Sequence, residues 1–134
     1  MTVASDRVHE IFKGLEVGNG AAFFAHVDDN VHWTVMGTHP LAGDYRSKAD
    51  FIAGTFQKLS RVLPDGAQLH IEHLIVEDDQ AVVELRSLAT AMNGMRFDNR
   101  YCWIVLFENE RIIRVRAYLD SALVAQLFGE NPIT

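Results

Sequence analysis

The sequence holds a single cysteine, Cys102. No disulfide can close within the chain, so a reducing, cytoplasmic setting is expected. No stretch approaches the roughly 20 apolar residues that span a bilayer, so no membrane helix is expected. The opening residues, MTVASDRVHE, are polar and charged, and no secretory signal is expected there. Positive charge is scarce: 12 Lys and Arg stand against 18 Asp and Glu, for a net charge of −6. The tightest basic cluster, RIIRVR at 111–116, alternates like one solvated strand face, and neither nucleic acid nor an anionic membrane is expected as a partner. HxH, CxxC and HExxH patterns are missing, and His70 and His73 lie three apart on a strand-like stretch, pointing to opposite faces. No metal or cofactor is expected. There is no Gly-rich phosphate loop and no serine nucleophile elbow.

What is present fits one globular domain spanning 1–134, with 49% hydrophobic and 22% charged residues. Val8, Ile11, Phe12 and Leu15 fall at helical spacing, with Ser5 as the expected N-cap and Asp6 in the first turn. A short apolar helix, AAFFAHV, follows, with Asn19 as its cap. VHWTVM reads as a strand and GTHPLAGDY as a loop. SKADFIAGTFQKL reads as one helix capped by Ser47, with Ala49, Ile52, Phe56 and Leu59 as its apolar stripe.

Four strand-like stretches then alternate with turns: QLHIEHLIVE, AVVELRSLATAM, FDNRYCWIVLFE and RIIRVRAYL. DSALVAQLF closes as a helix, with Gly129 expected just past its end. The order predicts an α+β fold, a curved antiparallel sheet with three N-terminal helices packed on its concave face. Helices this short leave the enclosed space incompletely filled, which predicts a pocket between sheet and helices.

The stretch VHWTVMGTHPLAGDYRSKADF resembles the strand, G..PLAG.Y loop and third helix of the SnoaL-like and ketosteroid isomerase-like proteins. DNRYCWIVLFENERIIRVRAYLDSALVAQLF is similar to the final hairpin and C-terminal segment of the same family, which belongs to the nuclear transport factor 2-like superfamily. The resemblance implies a cone-shaped, cystatin-like domain with one deep cavity, dimeric through the outer sheet face. It also implies small hydrophobic ligands and cofactor-independent isomerisation, cyclisation, dehydration or epoxide hydrolysis.

The candidate site follows from that expectation. The resemblance carries an aspartate role to Asp120, which closes the last strand; a carboxylate in an apolar cavity has its pKa raised and can act as a base. Asp120 also precedes SALVAQLF and equally reads as that helix's cap. Tyr118 and Tyr101 are phenol candidates for stabilising an oxyanion. Asn99 shares a strand face with Tyr101, Trp103 and Val105 by the period of two, and suits holding a carbonyl oxygen. Trp33, Trp103 and Phe56, with Phe23 and Phe24, are expected to form an apolar wall. His39 and Tyr45 sit on the loop over the cavity mouth, with solvent exposure the default for His39.

One departure stands out: Ala117 occupies a position where many family members carry glutamate, which removes a second carboxylate. Asp44, Asp98 and Glu84 could replace it only by facing inward. The expected function is acid/base chemistry on an apolar carbonyl compound; the alternative is a non-catalytic ligand-binding or dimerisation module. Cys102, Ile104 and Leu106 form an apolar row on the outer sheet face, which predicts a homodimer.

Overall fold

A computed structural model describes residues 3–133. Helix α1 (Ser5–Glu16) buries Val8, Ile11, Phe12 and Leu15, the stripe read from the sequence. Its N-cap is Ala4, not Ser5, and no side chain caps it. Asn19 caps α2 (Gly20–Phe24) by accepting the Ala22 N–H at 3.2 Å. β1 (Val27–Val35) follows, and then a short strand, β2 (Gly43–Tyr45), lies inside the stretch expected to be loop.

The third helix is two helices. Ser47 caps α3 (Lys48–Gly54), as its position predicts, and α4 (Phe56–Val62) follows a break at Thr55 (φ −130, ψ −80). The Thr55 hydroxyl donates to the Phe51 carbonyl at 2.6 Å. Phe51, Thr55, Leu59 and Val62 are buried and share one helical face across the break, whereas Ala49 on the expected stripe is exposed.

Strands β3 (Leu69–Glu77), β4 (Gln80–Ser87), β5 (Arg100–Glu108) and β6 (Arg111–Leu119) form an antiparallel meander. The sheet order is β2-β1-β6-β5-β4-β3. β1 joins β6 in parallel, the one departure among these pairings from the expected antiparallel sheet, because two helices and β2 intervene before the meander. Asn109 (φ 51) and Glu110 (φ 64) both take the left-handed conformation that tight two-residue hairpins require. Irregular register between Ile71 and His73, Leu106 and Phe107, and Val27 and His32 marks bulges. Bulges of this kind bend and twist strands, and here they curve the sheet around its helices. α5 (Ser121–Glu130) runs through Gly129 rather than ending before it.

The residues alternate cleanly across the sheet. Val83, Leu85, Trp103, Val105, Val115 and Ala117 are buried on the concave side under α1, α2 and α3. A second apolar cluster joins α4, α5 and the β4–β5 connection through Leu59, Val62, Leu63, Phe97, Val124 and Leu127. Among the described residues, no helix is long and apolar enough to cross a membrane.

Candidate functional site

Where the two apolar clusters meet, the concave side of the sheet lines a partly open cavity of about 40 Å³. Aromatic rings fill most of the surrounding space. Trp33 of β1 stacks on Phe51 of α3 with ring centres 3.8 Å apart and 16° between planes. Trp103 of β5 meets Trp33 edge-on at 5.1 Å, and Phe56 meets Phe24 edge-on at 5.3 Å. Trp33, Trp103 and Phe56 all line the cavity, as does Tyr101. The chain that predicts a deep chamber thus fills most of it with its own rings, because α3 turns Phe51 inward over Trp33.

Behind Tyr101 lies a buried polar group built around a residue the sequence reading missed. Ser87 closes β4 and is fully buried. Its hydroxyl donates to the Phe97 carbonyl at 3.1 Å and accepts the Asn99 N–H at 3.0 Å. The Tyr101 hydroxyl donates to the same Ser87 oxygen at a long 3.4 Å. Ser87 was legible: Ala81, Val83 and Leu85 continue to it by the period of two. Burial pushes the Tyr101 phenol up to about 12, with the Ser87 contact pulling slightly the other way. Like an ordinary tyrosine, the group is neutral and a hydrogen-bond donor at physiological pH.

Asn99 lies just before β5 and is fully buried. Its side-chain oxygen accepts the N–H groups of Arg100 at 2.7 Å and Asp120 at 3.2 Å, while its amide nitrogen is buried without a partner. Asn99, Tyr101 and the Asp120 backbone are thereby joined through one short network. The Asp120 side chain faces elsewhere. It is exposed and accepts the Leu123 N–H at 3.2 Å, capping α5.

Tyr118 is placed on the opposite, outer face of the sheet, where it pairs across from Cys102 and is 44% exposed. Neither Tyr118 nor Asp120 lines the cavity. Ala117 does line it, so the glutamate that resemblance would put there is replaced by a methyl group.

His39 is buried, against the default for a loop histidine. Its Nε2 bonds the Met36 carbonyl at 2.9 Å and its Nδ1 accepts the Leu41 N–H at 3.2 Å. The neutral form with the proton on Nε2 satisfies both bonds, and the imidazole shapes the loop that puts Leu41 into the cavity wall. Tyr45 donates to the Leu41 carbonyl at 2.9 Å and stands edge-on to Phe51 at 5.7 Å. A Cβ at Gly54 would come within 2.4 Å of the Tyr45 ring, so a glycine is needed there to seat it.

His39 and Tyr45 thus support the cavity roof from behind. Among the described residues, no carboxylate or imidazole lines this cavity, and no cluster of metal-ligating side chains forms. A larger depression of about 590 Å³ lies by the β5–β6 turn, where Asp79, Glu108 and Glu110 line it on the outer surface.

Comparison with known proteins places this architecture. The family model of the SnoaL-like domain matches residues 8–115. The dimerizing cyclase phiC of a fungal species is 24% identical over 98% of this chain and 59% of its own length. The dimerizing cyclase tstC of Talaromyces stipitatus is 25% identical over 98% of this chain and 60% of its own. The chain therefore spans about three-fifths of the length of these curated relatives.

Among solved structures, an NTF2-like protein from Burkholderia thailandensis superposes with a TM-score of 0.78 at 24% identity, covering 92% of this chain and 95% of that one. Bal32a, from a soil-derived mobile gene cassette, superposes with a TM-score of 0.75 at 21% identity, covering 90% and 91%. These likenesses establish the fold.

Proposed function

The chain belongs to the SnoaL-like domain family, and from that premise we propose that it binds a small, largely apolar carbonyl compound and acts on it without a cofactor. The carbonyl oxygen is held by the Tyr101 phenol, and the reaction is of the isomerase, cyclase or dehydratase type. One observation carries this reading: Tyr101, which bears a neutral phenol donor, lines an otherwise almost wholly apolar cavity. A neutral donor in a low-dielectric site stabilises developing negative charge on oxygen far more than it would in water. Its bond to Ser87 is long, so the proton is readily redirected to a ligand. The names of the curated relatives, both cyclases, agree with this chemistry.

Proton abstraction falls to Asp120, one residue beyond Leu119 of the cavity wall. To serve, its carboxylate leaves the Leu123 N–H and turns inward. The second reading, binding without chemistry, is favoured by the present position of that carboxylate as a helix cap. Exchange of α-protons of methyl nonyl ketone in heavy water separates the two. Tyr101→Phe is expected to slow exchange about a hundredfold, the scale of losing one oxyanion donor. Asp120→Asn is expected to abolish it. Exchange that proceeds unchanged in Asp120→Asn rejects the aspartate as base. Ketone binding with no exchange in the unsubstituted protein leaves the binding reading.

We also propose a homodimer through the outer sheet face. Val82, Cys102, Ile104 and Leu106 are partly exposed there and Ile75 is 66% exposed. An apolar sheet face of this kind is covered by a partner more often than by water. Ile104→Lys is expected to convert a sedimenting dimer to monomer; a monomer before substitution ends the proposal.

A further inference from the structure

The cavity is too small for the ligand proposed above. Its volume of about 40 Å³ is far below the roughly 300 Å³ at which small-molecule pockets begin. The space that adjoins it is a groove of about 180 Å³ between the α1–α2 turn and the approach to β3. Gly14, Gly18, Gly20 and Gly66 contribute to its wall, so much of it is bare backbone rather than packed side chains. Phe56 and Ala67 belong to both the cavity wall and the groove wall. Phe56 therefore stands at the boundary of the two spaces.

Its setting suits a movable partition. Phe56 is only half-buried and opens α4 directly after the helix break at Thr55. On its inner side it touches Phe24 edge-on at 5.3 Å and Phe51 at a tilted 5.9 Å. No hydrogen bond holds a phenylalanine ring, so a rotamer change about its own side-chain bonds is the motion needed.

We propose that the cavity and the groove are two chambers of one ligand site, divided by the Phe56 ring. The site takes an elongated carbonyl compound. The carbonyl end reaches Tyr101, and the chain passes Phe56 and lies along the glycine-lined groove. This rests on the reading that Tyr101 holds the carbonyl, but its test does not.

Both tryptophans, Trp33 and Trp103, line the inner chamber and are buried, so their fluorescence reports entry. Phe56→Ala opens the partition. Gly20→Leu is aimed at the groove wall, where a Cβ at Gly20 meets no atom within 4 Å. Acrylamide quenching is expected to rise about twofold in Phe56→Ala and to fall in Gly20→Leu, as access through a local opening changes. Affinity for methyl nonyl ketone is expected to fall about tenfold in Gly20→Leu.

Gly20→Leu with unchanged quenching and unchanged long-ketone affinity overturns the proposal. If Gly20→Leu weakens the long ketone but Tyr101→Phe does not, the two chambers stand and the tyrosine reading fails. If Tyr101→Phe weakens it and Gly20→Leu does not, the tyrosine reading stands and the groove is no part of the site.

Discussion

The side-chain oxygen of Asn99 accepts the backbone N–H of Asp120 at 3.2 Å, which ties the entry of β5 to the point where β6 hands over to α5. The same oxygen accepts the Arg100 N–H at 2.7 Å. One amide thus positions three elements next to Tyr101 and satisfies backbone donors that neither the sheet nor the helix serves.

Asn99→Ala is therefore expected to destabilise the fold by about 2 kcal/mol, because enclosed N–H groups lose their acceptor. Urea unfolding, with midpoint and slope both fitted, measures this. A change under about 0.5 kcal/mol would show that water replaces the amide without loss.

Asp120→Ala is expected to lower stability by about 1 kcal/mol through the lost cap of α5. Asp120→Asn retains a cap acceptor and is expected to match the unsubstituted protein within a few tenths. Thermal and urea unfolding of the pair separate capping, which asparagine preserves, from proton transfer, which it does not.

Asp44 on β2 accepts hydrogen bonds from His32 and Thr34 of β1 and pairs with Arg46. The His32 bond foremost, then that from Thr34, holds its carboxyl below the usual 3.8. A depressed folded pKa adds stability that is present above 3.8 and is lost as pH falls through the lower folded value. Asp44→Asn is expected to flatten the loss of stability on acidification below that value. Unfolding curves at a series of acid pH values that remain parallel for the two proteins would refute this.

Tyr101 carries the opposite sign. Burial raises its phenol from 10.0 to about 12, so its contribution is complete below 10.0 and disappears as pH climbs through that window. Tyr101→Phe is expected to reduce the fall in stability across the same interval. Urea midpoints measured from neutral to strongly alkaline pH decide it, with the Tyr45 phenol and the Cys102 thiol, both also raised by burial, as further contributors.

Much of this was legible from local pattern. The helical spacing of Val8, Ile11, Phe12 and Leu15, the caps at Asn19 and Ser47, and the alternation that put Trp103 and Val105 opposite Ile104 and Leu106 all depend on neighbours within a few residues. The SnoaL-like relationship was likewise carried by contiguous stretches. The stacking of Phe51 on Trp33 was not legible, because it is a contact between distant segments.

The sequence by itself determined most of the elements and the strand faces, since those follow from periodicity and short-range hydrogen bonding, and its contiguous motifs carried the family. Only the tertiary structure decided which polar groups meet the cavity. It moved Tyr118 to the outer face, set Asp120 on the α5 amides, buried His39 behind Leu41 and drew Ser87 to Tyr101. The reason is physical: the direction of a side chain at an element's end is set by whichever buried donor or acceptor the rest of the fold brings within reach.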